Sequence, residues 1–191
     1  MVDAVTQALA ERVRHEREHR GWSLAELAQR SGVSRAMISK IERAEASPTA
    51  ELLHRLCVGL GMTLASLFSS PRTIASPLSR LADQPEWRDP ATGYVRRNVS
   101  PAGFGPSAQI VDVRFPPGAR VVFDTMRDIV LEQQIWMQAG CMQLSTGRET
   151  YLLEAGDCLA MRLNRPLTFR NPSDQPAHYI LVATQQPRGT Q

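Results

Sequence analysis

Four cationic side chains fall within residues 30–43 of this sequence: Arg30, Arg35, Lys40 and Arg43. The same stretch contains one acid, Glu42, so it is far more basic than the whole chain, whose formal net charge is only +3. Guanidinium and ammonium groups bind phosphate oxygens, and an arginine can also donate two hydrogen bonds to a guanine edge. The cluster therefore predicts contact with nucleic acid.

Short helices are predicted to hold this cluster in place. Residues 7–68 show helical spacing of apolar side chains, with Gly32 at one of the predicted helix ends. Ser23 followed by Glu26 is a capping-box pattern, and Ser34 is an N-cap candidate for the next helix. The pattern predicts five helices, two of which are joined by a short turn as in a helix-turn-helix.

The stretch LAELAQRSGVSRAMISKIERAEASPTAELLHRL, within residues 9–68, resembles the Xre/Cro/λ-repressor helix-turn-helix family. In that family the third helix enters the major groove of DNA, and side chains near its N-terminus meet base edges. The resemblance implies base or near-base contacts from Arg35, Ala36, Ser39 and Lys40. It implies phosphate contacts from Ser23, Gln29, Ser34 and Arg43.

A helical bundle that binds protein is the alternative, because residues 1–70 carry nine Arg or Lys against eight Asp or Glu, a net charge of +1. The resemblance, however, assigns Glu42 to an ion pair with Arg17 that ties the first helix to the third. The charge left in residues 30–43 is then wholly basic, which favours double-stranded operator DNA as the partner. One such domain makes few contacts, so we expect a homodimer that reads two half-sites.

The chain of 191 residues is long enough for two domains. It has no apolar run of membrane-spanning length and no secretory signal pattern, so we expect no membrane association and a cytoplasmic location. The cysteines are expected to be reduced, with a redox switch between the last two as the less favoured alternative: Cys57, Cys141 and Cys158.

A proline-rich segment separates two regions of different pattern. We predict a helix-turn-helix DNA-binding domain at residues 7–69, a linker at 70–92 and a second domain at 93–187. The second domain contains short β-type runs between Gly and Pro turns, which is typical of an antiparallel sandwich or barrel. Its stretches FPPGARV, YLLEAGDCLAMRL and TFRNPSDQPAHYILV resemble the cupin family. The predicted fold class is an all-α, five-helix λ-repressor-like domain plus an all-β cupin jelly-roll barrel.

Cupins of the metal-binding type hold iron, zinc or manganese with several histidines and a carboxylate. The resemblance places those ligand positions at Asp124, Met126, Gln133 and Leu167. A shift of the loop by one residue would place Glu132 at the third of these positions. A thioether, an amide and a leucine do not supply such a ligand set, and the one histidine of this region, His178, has no histidine partner in the sequence. We therefore predict no metal and no cofactor.

A small barrel without a metal can still enclose an organic ligand. The predicted ligand-binding residues are Asp124, Met126, Gln133, Trp136 and Leu167. Further neighbours of the site are predicted at Met142, Met161 and Arg162. Side chains can instead fill the barrel, in which case the domain only dimerises.

The sequence thus predicts a sequence-specific DNA-binding transcriptional regulator whose metal-free cupin domain senses a small-molecule metabolite and dimerises. A metal-dependent cupin enzyme fused to a helix-turn-helix is one alternative, because hydroxypropylphosphonate epoxidases resemble this architecture. A cupin that serves only for dimerisation is the other. The missing histidines favour a sensor over an enzyme.

Overall fold

A computed structural model of the protein describes residues 4–68, 76–101, 108–123 and 130–186. Helices come first along the chain and strands follow. The α-helices are Ala4–His19 (α1), Leu24–Ser31 (α2), Arg35–Glu42 (α3), Ala50–Leu60 (α4) and Leu64–Leu67 (α5). A short 3-10 helix at Leu81–Asp83 precedes the strands. The five predicted helices are confirmed.

The β-strands are Glu86–Arg88 (β1), Val95–Asn98 (β2), Ala108–Phe115 (β3), Arg120–Phe123 (β4), Val130–Ala139 (β5), Cys141–Thr146 (β6), Glu149–Glu154 (β7), Cys158–Arg162 (β8), Leu167–Arg170 (β9) and Ala177–Gln186 (β10). Among the described residues they form a six-stranded sheet in the order β1-β2-β3-β10-β5-β8 and a four-stranded sheet in the order β4-β9-β6-β7. The strand pairs are antiparallel. This is the predicted all-β cupin architecture.

Local capping explains where the helices of the helix-turn-helix begin and end. The Ser23 hydroxyl accepts a hydrogen bond from the Glu26 N–H at 3.2 Å, and the Glu26 carboxylate accepts one from the Ser23 N–H at 2.7 Å. Gly32 ends α2 with φ +65°, a conformation that glycine adopts at low cost. Ser34 then caps α3 through the Met37 N–H at 3.2 Å. The caps predicted from the sequence are confirmed.

The strand β1 lies inside the segment predicted as a linker, so that prediction was wrong for residues 86–88. β1 pairs with β2, and its Trp87 is 3% exposed. A three-residue strand with one apolar side chain has too little alternation to be recognised in a sequence. Trp87 is buried by its neighbours in space, among them the Phe68 ring at 5.7 Å and the Tyr94 ring at 5.7 Å.

The two sheets face each other, and the helices pack directly against them. Phe169 of the small sheet stacks on Tyr179 of the large sheet with ring centroids 6.0 Å apart. Buried apolar side chains of the helices and of both sheets form one continuous hydrophobic cluster. The Asn98 side-chain amide donates to the Ala65 carbonyl at 3.1 Å, which ties β2 to α5. The two parts therefore share a core.

Gly59 allows the close packing of α2 on α4. A Cβ atom at Gly59 would lie 2.8 Å from Ser31 Cβ and 2.9 Å from the Cα and N atoms of Ser31. Two of these three contacts are with backbone atoms, which cannot rotate away. The sequence marks this residue only as a glycine inside a helix, so its role is visible only in the packed structure.

Candidate nucleic-acid interface and interdomain cavity

The third helix presents one buried face and one exposed face. Ile38 and Ile41 are 0% and 1% exposed, and they anchor α3 in the helical core. The side chains predicted to contact bases share the other side of the helix: Arg35, Ala36 and Lys40 are exposed, and Ser39 is half-buried. Residues three and four positions apart are neighbours on a helix surface, and the pairs 35/39, 36/39 and 36/40 have these spacings, so the four residues form one patch. We call it the α3 face.

The residues predicted to contact phosphates are also at the surface, because Ser23, Gln29, Ser34 and Arg43 are exposed. The Ser23 and Ser34 hydroxyl oxygens accept the capping hydrogen bonds. Each hydroxyl keeps its own hydrogen, which remains able to donate to a phosphate oxygen. Capping and phosphate binding are therefore compatible at both serines.

Arg43 forms an ion pair with Glu45 next to the α3 face. Its guanidinium donates to both Glu45 carboxylate oxygens at 2.7 Å and also bonds the Ser39 hydroxyl. The hydrogen bond to Glu45 raises the pKa of Arg43, and the same bond lowers the pKa of Glu45. A phosphate must compete with Glu45 for this guanidinium.

Arg17 and Glu42 form the structural pair implied by the family resemblance. The Arg17 Nε and Nη2 atoms each donate to a Glu42 carboxylate oxygen at 2.7 Å, and Nη1 donates to the Trp22 carbonyl at 2.8 Å. Hydrogen bonding to Glu42 raises the pKa of Arg17. The predicted pair is confirmed, and it leaves the negative charge of Glu42 compensated within the protein.

A cavity of about 60 Å³ lies where the helices meet the strands. Its helical wall comes from α4, α5 and the residue before α5: His54, Thr63, Leu64 and Ala65. Both sheets contribute the remaining wall, which includes two residues predicted to bind ligand, Gln133 and Leu167. They are 5% and 1% exposed. The structure therefore brings these two predicted residues together at one internal site.

Trp136 does not line this cavity, so its predicted place inside the barrel was wrong. Gln133, Ile135 and Met137 of β5 are buried, whereas Trp136 is 52% exposed. Successive side chains of a strand point to opposite faces of the sheet. Gln133 and Trp136 are three positions apart, so they cannot both face the interior.

The other predicted residues of the site divide into three groups. Asp124 and Met126 lie outside the described residues. Met161 is near the cavity, where the Gln133 side-chain amide donates to its Sδ at 3.3 Å, and Met142 is buried in the core without lining the cavity. Arg162 faces outward and pairs with Glu132 at 2.8 Å, so its predicted place near the ligand was wrong.

Sequence reasoning missed Arg96, which faces the cavity from β2. In that strand Arg96 and Asn98 are buried, and Arg97 points outward to an ion pair with Asp112 at 3.0 Å. The alternation starting at the buried Tyr94 would have placed Arg96 inside. Arginine is rarely buried, so its residue type alone does not mark it as part of an internal site.

The described residues contain no group of three or more His, Cys, Asp or Glu side chains that could hold a metal ion. Two of the four family ligand positions, residues 124 and 126, fall outside the described residues. The other two, Gln133 and Leu167, have side chains that do not bind iron or zinc well.

Comparison with known proteins agrees with this geometry. A model of the helix-turn-helix domain family matches residues 8–67. Over 57 residues the chain is 44% identical to the HTH-type transcriptional regulator SutR of Escherichia coli (strain K12). That match covers 30% of this chain and 32%, about a third, of the length of the relative.

Solved structures resemble the whole chain at lower identity. An HTH_3 family transcriptional regulator from Vibrio cholerae is 21% identical, with a TM-score of 0.76 over 96% of this chain and 98% of that chain. Hydroxypropylphosphonic acid epoxidase from S. wedmorenis is 16% identical, with a TM-score of 0.43 over 94% and 98% of the two chains.

No helix among the described residues is long and apolar enough to cross a membrane. The capped helices α2 and α3, the Arg17–Glu42 pair and the family match together identify the first domain. The chain joins an N-terminal helix-turn-helix domain, over residues 8–67, to a C-terminal domain of the predicted cupin fold.

Proposed function

We propose that this protein is a cytoplasmic, sequence-specific DNA-binding transcriptional regulator. The observation that carries the proposal is the α3 face. Arg35 and Ala36 are exposed at the start of this capped helix and Lys40 is exposed in its last turn, while buried isoleucines hold the helix in place. Side chains at this place in a helix-turn-helix reach base edges in the major groove. The α3 face offers a guanidinium, a methyl group and an ammonium for that contact.

The first experiment tests DNA binding directly. Selection of bound sequences from random double-stranded DNA, followed by titration of the selected site and a scrambled duplex at one salt concentration, gives the specificity ratio. We expect the selected site to bind at least about 1,000-fold more tightly than the scrambled duplex. Equal affinity for both duplexes would reject sequence-specific regulation.

We further propose that the interdomain cavity binds a small-molecule effector. Support comes from its position, because the wall is formed by α4 and α5 on one side and by both sheets on the other. A ligand there contacts the DNA-binding domain and the cupin domain at the same time. It can alter DNA binding only if it favours one relative placement of the two domains.

Dimerisation is the third part of the proposal, and the outer face of the six-stranded sheet is its proposed surface. Trp136 and Ile110 are 52% and 40% exposed there, and the half-buried Ile180 and Val182 lie between them on β10. The register aligns Ile180 with Trp136 and Val182 with Ile110. An exposed apolar patch of this kind is typical of protein interfaces.

The oligomeric state in solution tests this surface. The variant Trp136→Asp places a charge in the patch and is expected to convert a dimer into a monomer in sedimentation or light-scattering measurements. Leu152→Asp is the matched control, because Leu152 is 59% exposed but lies on the four-stranded sheet. A monomeric wild-type protein, or a dimer that survives Trp136→Asp, would exclude this interface.

A metal-dependent enzyme is the alternative function. The discriminating measurement is the metal content of the purified protein by elemental analysis, because a cupin enzyme of that type needs about one equivalent of bound metal. We expect substoichiometric metal and no change in stability on treatment with a chelator. A full equivalent of iron, zinc or manganese would favour the enzyme.

A further inference from the structure

Arg96 is a buried cation for which the described residues supply no carboxylate partner. Its side chain faces the interdomain cavity, the residue is 7% exposed, and its Nε has no hydrogen-bond partner. The guanidinium shares a hydrogen bond with the Tyr94 side chain, which is neutral. Burial lowers the pKa of Arg96, but an arginine stays protonated in proteins.

A charge in this position is costly unless something compensates it. Moving an ion out of water carries a large desolvation penalty, which is recovered only with an opposite charge and good hydrogen bonds. No Asp or Glu of the described residues lines the cavity. The neighbouring polar groups, such as Tyr94 and Tyr179, are phenols whose pKa values burial raises further. The cavity is therefore suited to an anion.

The size and walls of the cavity narrow the kind of anion. A volume of about 60 Å³ holds roughly four to six non-hydrogen atoms at roughly 10 to 15 Å³ each. Much of the wall is apolar, with Phe115, Phe123 and Phe169 among the lining side chains. A phosphate would place its remaining oxygens against phenyl rings. A carboxylate can direct both oxygens to one guanidinium and leave an apolar chain for the rings.

We propose that the effector is a short-chain monocarboxylate whose carboxylate binds the Arg96 guanidinium and whose carbon chain lies against the aromatic wall. This inference rests on the proposed function of the cavity as the effector site, and it names the chemical class of the effector.

The position of Arg96 also explains how such a ligand can act on DNA binding. Arg96 belongs to the cupin sheet, yet it lies close enough to Cys57 of α4 for its charge to oppose the effect of burial on the pKa of that thiol. His54 of α4 and Leu64 of α5 line the same cavity. A carboxylate held by Arg96 therefore bridges the domains and favours the arrangement in which they are closed together.

The experiment uses the full-length protein and pairs each acid with its neutral isostere. Thermal unfolding is measured with increasing propionate or butyrate, and in parallel with propionamide or butyramide, at constant ionic strength and pH. A ligand of the folded state raises the Tm by mass action. We expect the acids to raise the Tm and to bind about 10- to 100-fold more tightly than the amides, because the acid adds charge-assisted hydrogen bonds.

Two variants of Arg96 and one control variant test whether the acids raise the Tm by binding at Arg96. Arg96→Met replaces the uncompensated charge by an apolar side chain of similar length. This variant is expected to raise the Tm of the free protein and to abolish the response to acids. Arg96→Lys keeps the positive charge but lacks the planar guanidinium that donates two hydrogen bonds to a carboxylate. It is expected to weaken the stabilisation by acids. Arg114→Met, at an exposed arginine of β3, should leave the response unchanged.

Several results would overturn the inference. Amides as effective as acids would show that charge is not recognised, and phosphate as effective as propionate would show that the site takes anions in general. A lower Tm for Arg96→Met with an intact response to acids would assign Arg96 to an internal ion pair. DNA binding measured on the same sample separates the two proposals, because specific DNA binding without any response to acids rejects this inference alone.

Discussion

The Asp89 carboxylate accepts a hydrogen bond from the Ala50 backbone N–H at 3.0 Å. Asp89 follows β1, and Ala50 is the first residue of α4, so the bond joins the cupin domain to the helix after the α3 face. Both residues are 1% exposed. The same carboxylate accepts from Thr92 N–H at 3.1 Å and from the Thr92 hydroxyl at 2.5 Å. The Asp89 side chain thus stabilises the turn that contains Thr92 and also bonds the first residue of α4 in the helical domain.

Asp89→Ala is expected to lower the free energy of unfolding by about 1 to 3 kcal/mol, because it leaves a buried N–H without an acceptor. Asp89→Asn keeps one oxygen acceptor and should cost less. Urea unfolding checks both, with Asp83→Asn at an exposed site as the control. An Asp89→Ala protein as stable as the wild type would mean that water replaces the carboxylate at Ala50.

Arg35→Ala is expected to weaken binding to the selected DNA site by about 1 to 3 kcal/mol and to leave binding to scrambled DNA almost unchanged. The reason is that a base contact contributes only where the matching base is present. Fluorescence anisotropy at fixed salt measures both affinities. Arg148→Ala, at an exposed arginine in the β6–β7 turn, is the control of equal charge. A uniform loss on both duplexes would make Arg35 a phosphate contact.

Gly59→Ala is expected to destabilise the helical domain, although alanine is ordinarily the better helix former by about 1 kcal/mol. The added methyl group would lie 2.9 Å from the Ser31 backbone, so α2 or α4 must move. Overpacking of this kind costs about 1 to 3 kcal/mol. The second variant Ser31→Gly removes the clash with Ser31 Cβ but not the clashes with its backbone. Full rescue of Gly59→Ala by Ser31→Gly would contradict the predicted cause.

The Cys57 thiol is expected to react with alkylating reagents only when the domains separate or unfold. Cys57 is 0% exposed, and burial raises its pKa to about 12. The thiolate is the reactive form, so at pH 8 the folded protein should expose almost none at this residue. Replacement of Cys141 and Cys158 by serine leaves Cys57 as the one thiol, and its labelling rate can be followed by mass spectrometry.

The Asp89→Ala variant provides the comparison for the labelling rate of Cys57. If the bond to Ala50 holds the domains together, its removal should increase the Cys57 labelling rate without urea. Rapid labelling of Cys57 in the wild-type protein would show instead that the interface opens readily. Protection by a carboxylate would provide a second readout of binding at Arg96.

The helical domain could be predicted well from the sequence because its signals are local. The Ser23–Glu26 capping box, the Ser34 cap and the Gly32 turn each depend on residues within a few positions of one another. The short β-type runs predicted for the second domain correspond to the strands β2–β10, because alternation also lies within each run. The short β1 was missed, since its one buried side chain depends on Phe68 and Tyr94.

The candidate ligand site could be predicted only in part. Gln133 and Leu167, which were predicted from turn positions, line the cavity, and their ligand-binding role stays a prediction. Trp136 lies on the outer face of the sheet, because strand parity was not applied to it. The helical wall of the cavity was not predicted, because the sequence analysis treated the helices and the strands as two separate domains. Residues of α4 and α5 are distant in the sequence from the strands they cover.

The sequence by itself determined the five helices, the nine strands that follow β1, the basic cluster within residues 30–43 and the absence of histidines at the family's metal positions. Only the tertiary structure decided that Arg96 is buried, that Asp89 bonds α4 and that one cavity is shared by both domains. The physical reason is the separation in sequence between the residues that interact. Caps, turns and periodicity act between near neighbours in the chain, whereas burial of a charge is set by packing between segments far apart in sequence.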